Sequence, residues 1–465
     1  MSGPISLEPG GAEQDTLAIR LAVPRPRRFL DDATLAIRLP SKGPDEEAVS
    51  ALAAELADRI GPAVHPYEVA ALLEADGLSA SVIKERYGHP TLFSLAAALY
   101  ERVPRAFPEP AAPPDPWRPD TVRCLLRGLL FALPALAYLL TAPLWRIDEH
   151  APVLVTAGIV SWAWGQALGH RAHLRLTTGR REAARTLLAG SVLGACVATG
   201  LAAIPAGGGP ATVAAAAQSL YLAAAGVLLV LGRERLLLAA LSPLIAGAAV
   251  LPWWEPGTLL RLTFPLLALL ATLAVALRVL ASGLAAPAAE GPRPRLRGSV
   301  PYGLFGLAAA VLVMLEGRQD PYAVIVLTLS MGPAEWLLYR YRGWSVAALR
   351  ASATLRAFLL RSCGVLALCL VCYLLLLLVP ALVLDSDPVA LLSLAAVLWT
   401  ALLLQAFGVA WPPAVVCLAT AAGAAVVALA GPPGGAGVLP SVCAAAAVCL
   451  AACVVALLGR PSPHA

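Results

Sequence analysis

Two patterns of apolar residues divide the chain. Between residues 45 and 105 apolar positions recur at helical spacing among many charges; beyond residue 120 they run in near-continuous blocks parted by short polar stretches. Twelve blocks lie at 121–145, 151–170, 185–205, 211–231, 236–252, 259–281, 299–317, 321–339, 356–384, 388–411, 413–431 and 438–458. Each approaches the roughly 20 residues that carry a helix across a bilayer. The pattern predicts an all-α polytopic membrane protein with about 12 transmembrane helices, preceded by a small helical domain.

In that domain Asp45, Glu46 and Glu47 suit the N-terminus of a helix over AVSALAAELADRI. HPYEVAALLEAD follows and closes at Gly77, Ser79 caps SASVIKERY before Gly88, and Thr91 opens a fourth helix. The turn between the second and third helices has a helix-turn-helix look. Ten acids face five bases between Asp45 and Arg105, however, and such a surface repels phosphates. A protein-interaction or regulatory module, with a protein partner and no nucleic acid, fits better.

Composition agrees with a membrane protein, since 59% of the 465 residues are hydrophobic and 14% are charged. The loops orient it. With both termini cytoplasmic, the inner loops hold Arg171, Arg175, Arg180, Arg181 and Arg185, then Arg233 and Arg235, then Arg293, Arg295 and Arg297, then Arg340, Arg342, Arg350 and Arg356. The outer loops hold only Arg146, Arg261 and Arg318 among several acids. Positive charge therefore stays inside, as in a multi-pass plasma-membrane protein in contact with lipid.

These features divide the chain into a disordered segment at 1–44 with the repeated hexapeptide TLAIRL, the helical module at 45–105 and a proline-rich linker at 106–120. A first six-helix half at 121–281, a cytoplasmic linker at 282–298, a second half at 299–458 and a tail at 459–465 follow. Sliding one half over the other by 169 positions places Ser161 on Ser330, Gln166 on Glu335, Arg171 on Arg340 and Arg181 on Arg350. Two parallel halves are a transporter architecture.

The stretch GQALG, an arginine-containing connection over His170–Thr178, and GRREAARTLL opening the third span carry a resemblance to a known family. They resemble the second-to-third helix region of the multidrug/oligosaccharidyl-lipid/polysaccharide flippase superfamily, which includes the MATE exporters. Gln166 and Gly169 match a Gln-x-x-Gly element, and Gly179, Glu182 and Ala183 resemble the turn after it; Arg180 stands where that family often has an acid. The resemblance implies a transporter of a polysaccharide or lipid-linked cell-envelope precursor. Major facilitator transporters share the twelve-span layout and a basic loop after the second span, but lack of the usual acid in that loop ranks them second.

Nothing in the sequence points to an enzyme. There is no phosphate-binding loop, no nucleophile elbow and no metal-spaced histidine cluster, and no cofactor or metal is expected. Cysteines such as Cys369 and Cys372 sit in apolar runs as small apolar residues.

Polar residues within spans are the candidate substrate-binding groups: Gln166, Gln218, Glu335 and Gln405. Glu335 serves proton coupling or substrate binding, or else pairs at the interface with Arg340 or another loop arginine. Each glutamine lines a cavity or stitches two helices. Arg171, Arg175, Arg180, Arg181, Arg340 and Arg342 form a basic cytoplasmic mouth suited to an anionic headgroup, or act only as topology signals. Glu316, Arg318 and Asp320 make an outer gate or a solvated turn. The first six spans lack a central acid, which favours glycan export over drug antiport. A membrane scaffold for cell-envelope assembly remains the alternative, and a polar cavity between the halves separates the two readings.

Overall fold

Long apolar helices dominate the computed structural model, which describes residues 45–104, 118–144, 147–206, 209–289, 291, 294–352, 354–430 and 437–459. The TLAIRL repeats, most of the 106–120 linker and nearly all of the tail lie outside the described residues. The chain divides into two units, one holding the module and the other the membrane helices.

In the module, helices Glu46–Glu55, Ala57–Ile60, Pro66–Ala75, Ala80–Arg86 and Leu92–Arg102 enclose Val49, Val69, Leu73, Leu95 and Leu99. Three expected caps are made: Asp45 accepts from the Ala48 amide, Ser79 from Val82, and Thr91 forms a reciprocal capping box with Ser94. Gly77 and Gly88 take φ of +73° and +68°, the left-handed conformation that ends a helix. Arg59 clasps Asp76 through two hydrogen bonds of 2.8 and 3.0 Å, and the Tyr100 hydroxyl donates to the Val64 carbonyl.

The other unit is all-α among the described residues, and the chain is a polytopic membrane protein. Among the described residues, eleven helices are long and apolar enough to cross a bilayer: spans 1 (Thr121–Leu144), 2 (His150–Thr178), 3 (Arg180–Ile204), 4 (Pro210–Val230), 6 (Thr258–Leu284), 7 (Leu296–Gln319), 8 (Pro321–Arg350), 9 (Leu355–Val383), 10 (Pro388–Ala406), 11 (Trp411–Ala430) and 12 (Val438–Leu458). The expected fifth span is not one helix. It is split into Glu234–Ala240 and Ser242–Val250, with Leu241 donating to both Leu237 and Leu238 carbonyls and Pro243, which has no amide hydrogen, opening the second piece.

Two expected loops are helical. Span 2 continues through His170–Thr178 and turns at Gly179 alone before span 3, so Arg171 and Arg175 project from a helix; span 8 likewise carries Arg340, Arg342 and Arg350. The sequence-based boundaries stopped where arginines began, yet arginine is a good helix former and does not by itself end a helix.

Helix pairings in the first half recur six spans later. Span 2 packs on 3 and 4 as span 8 packs on 9 and 10; spans 3 and 4 pair as 9 and 10 do; spans 4 and 5 pack on 6 as 10 and 11 pack on 12; and 1 meets 5 as 7 meets 11. The halves join at two seams, span 1 on span 8 and span 2 on span 7. These too exchange under the six-span shift, giving the parallel pseudo-two-fold that the sequence offset of 169 implies. Each half has its own core, built around Leu187, Leu228 and Leu237 in one and Leu394, Trp399 and Leu404 in the other.

Candidate functional site

Arg127 joins three spans at the seam between spans 1 and 8. Asp120 caps span 1 by accepting the Arg123 amide at 3.1 Å, and the four-residue step from Arg123 to Arg127 puts both guanidiniums on one helix face. Span 4 ends at Gly232, whose φ of +68° lets the chain reverse, with the Arg233 amide bonding back to the Leu228 carbonyl at 2.8 Å. Glu234 then opens the first piece of span 5, where its carboxylate complements the amide-rich helix end.

Glu234 Oε1 accepts from Arg123 Nε at 2.8 Å and from Arg127 Nε at 2.9 Å. A terminal nitrogen of Arg127 donates to Glu335 Oε1 of span 8 at 2.5 Å, and the other reaches the Leu229 carbonyl at 3.4 Å. Arg127, Glu234 and Glu335 are each at most 9% exposed. Two guanidiniums thus balance two carboxylates, the arrangement that makes burial of charge tolerable. Beside the cluster the helices touch backbone to backbone. A Cβ on Gly128 would come within 2.7 Å of the Leu329 carbonyl oxygen, and one on Gly332 within 2.6 Å of that of Cys124.

The other seam uses weaker groups. Gln166 of span 2 lies against Gly306 of span 7, where an added Cβ would sit 2.7 Å from the Gln166 Cγ. Further along, the His170 ring stacks on Tyr302 with centroids 3.8 Å apart, and its Nδ1 is 3.0 Å from the Ser299 hydroxyl. Arg171 donates to the Pro294 carbonyl at 3.1 Å.

The four candidate binding residues therefore face different neighbours. Glu335 is paired with Arg127 and not with Arg340, because Arg340 turns away to stack on the Trp336 ring at 4.9 Å. Gln166 packs at the second seam. Gln218 is inside the first half against Gly158, and its Oε1 has no hydrogen-bond partner. Gln405 is not deep in span 10; it is in the last turn, buried, one residue before the helix ends at Ala406.

Nor do the six arginines make one open mouth. Arg180 is exposed, whereas Arg175 is buried and Arg342 is buried against the Phe407 ring at 5.1 Å. At the opposite end Glu316 is only 2% exposed, not a solvated turn residue, while Asp320 caps span 8 by accepting the Tyr322 amide. At these positions the two seams are closed by glycine contacts and the ion cluster. A partly open cavity of about 30 Å³ lies within the first half, between spans 2, 3 and 4.

Arg123, Arg127 and Glu234 were missed by the sequence reading. Arg127 was absorbed into an apolar block and Glu234 was masked by Arg233 and Arg235; a charge six positions inside a span, four residues after another arginine, was the available signal. Among the described residues, no group of three or more His, Cys, Asp or Glu side chains is placed to hold a metal ion. No protein-family profile, curated protein or solved structure matches the chain.

Proposed function

We propose that this chain is a plasma-membrane transporter, termini inside, whose two six-helix halves move a polysaccharide or lipid-linked cell-envelope precursor by alternating access. The observation that carries the reading is Arg127, which binds Glu234 in its own half and Glu335 in the other across a seam. In this reading the cluster is a latch that closes the arginine-rich, cytoplasmic end of the path. When the halves part, Glu234 keeps Arg127 and Arg123 as partners, and only Glu335 needs a new one, from water, a proton or the cargo. Membership of the flippase superfamily rests on the Gln166–Ala183 motif and on the parallel halves.

The test is to lock a seam. A Cβ at Gly306 would lie 3.0 Å from the Gln166 Cβ, about half an ångström short of the roughly 3.5–4.5 Å of a disulfide, so a small outward shift of the two helices admits the bridge. In a background without native cysteines, oxidised Gln166→Cys/Gly306→Cys protein in liposomes should stop flux of a lipid-linked glycan, and reductant should restore it. Undiminished flux through fully cross-linked protein would sink alternating access at this seam.

A scaffold reading draws on the module, which has its own core and exposes Tyr67 and Phe93 in edge-to-face contact at 5.7 Å, an aromatic pair suited to a protein partner. Flux in protein lacking residues 45–105 favours transport over that role.

A further inference from the structure

Threonine hydroxyls in these spans have a usual destination. Thr156, Thr186, Thr272, Thr400 and Thr420 each donate to the carbonyl four residues earlier in their own helix, at 2.7 to 2.9 Å. Ser161, Ser191 and Ser219 do not: each hydroxyl oxygen is buried and has no hydrogen-bond partner. The three come from spans 2, 3 and 4 and line the same cavity, whose other walls include Gly165, Gly194 and Leu222. Ser219 is 1% exposed. An unpaired hydroxyl in an apolar interior costs free energy, so three converging on one space need a shared partner.

The space suits water. Its volume of about 30 Å³ exceeds the roughly 10–15 Å³ that admits a water molecule, and a buried water needs two to four polar neighbours. No charged side chain lines the cavity, which disfavours an ion there. Gly194 keeps the site narrow, because a Cβ there would meet the Trp164 ring at 2.3 Å. We infer that Ser161, Ser191 and Ser219 bind ordered water that cross-links spans 2, 3 and 4. The inference does not depend on transport; it concerns how the first half holds its shape.

The decisive measurement is a density map at about 2 Å of the full chain in lipid, where an ordered water is visible at hydrogen-bond distance, roughly 2.7 to 3.2 Å, from its partners. Density bonded to at least two of the three serine oxygens supports the site. A cavity without density, with the hydroxyls rotated onto the carbonyls of Ala157, Leu187 and Ala215, overturns it. Thermal unfolding supplies an independent check on Ser161→Ala, Ser191→Ala, Ser219→Ala and the triple variant. A shared water predicts a triple loss in midpoint smaller than the summed single losses, since the first removal already disturbs the common partner. Additive losses would contradict it.

Discussion

Gln166 and Glu335 occupy equivalent places in the two halves. Glu335 meets Arg127, six positions after Thr121 at the start of span 1, and Gln166 meets Gly306, six positions after Val300 at the start of the span 7 helix. The same contact is ionic at one seam and an amide on glycine at the other. The repeat has kept its geometry and divided its chemistry.

That division makes the ionic seam sensitive to loss of its cation. Arg127→Met leaves two buried carboxylates with only Arg123 nearby, and should lower stability by about 3–5 kcal/mol. Glu335→Gln should cost less and should partly relieve Arg127→Met in the double variant. Unfolding midpoints of the four proteins measure this coupling, and strict additivity would contradict the contact.

Close approach at the seams predicts which glycines resist change. Gly332→Ala and Gly128→Ala drive a methyl into a backbone carbonyl of the facing span and should each destabilise by about 1–3 kcal/mol. Gly364→Ala, within span 9 and with nothing near its Cβ position, should be neutral or stabilising by up to about 1 kcal/mol. Equal effects at all three positions would rule out seam contact as the cause.

With folding and insertion intact, Glu335→Gln should slow flux of a lipid-linked glycan in liposomes several-fold, about 1 kcal/mol in barrier. An unchanged rate would remove Glu335 from the proposed transport cycle and leave it a structural ion-pair partner.

The module should fold by itself, because its core and caps are internal. A fragment of residues 45–104 should be helical by circular dichroism and unfold cooperatively, and Thr91→Ala should cost about 1 kcal/mol by removing the capping box.

The same fragment should weaken in acid. Burial, and then the charge of Arg102, hold the half-buried His89 imidazole below its ordinary value of 6.5. The unfolded chain therefore takes up the proton first. This contribution to stability is fully present above pH 6.5 and is lost as pH falls through the lower folded value. His89→Gln should flatten that part of the profile.

The sequence made the spans, the repeat and the module caps legible, because each is written in local periodicity or a single side chain. Pro243 was also visible, but its consequence was not: a proline near a helix start is harmless, and only the Leu241 turn before it breaks the span. The ion cluster was hidden for a different reason. Arg127 and Glu335 are 208 residues apart, and nothing local distinguishes a buried arginine from one that reaches the membrane surface. The three serines were invisible for the same cause, since an unpaired hydroxyl is defined by what surrounds it.

Span 8 carries one more implication. Its thirty residues extend about 45 Å, against an apolar slab of roughly 30 Å. Counted from Pro321, Glu335 lies about 21 Å along the helix, so a slab of roughly 30 Å that begins at Pro321 holds the carboxylate about 9 Å beneath its other face. Acyl-chain length then becomes a control on hydration: short lipids bring headgroup water to Arg127 and Glu335, and long ones seal them in hydrocarbon.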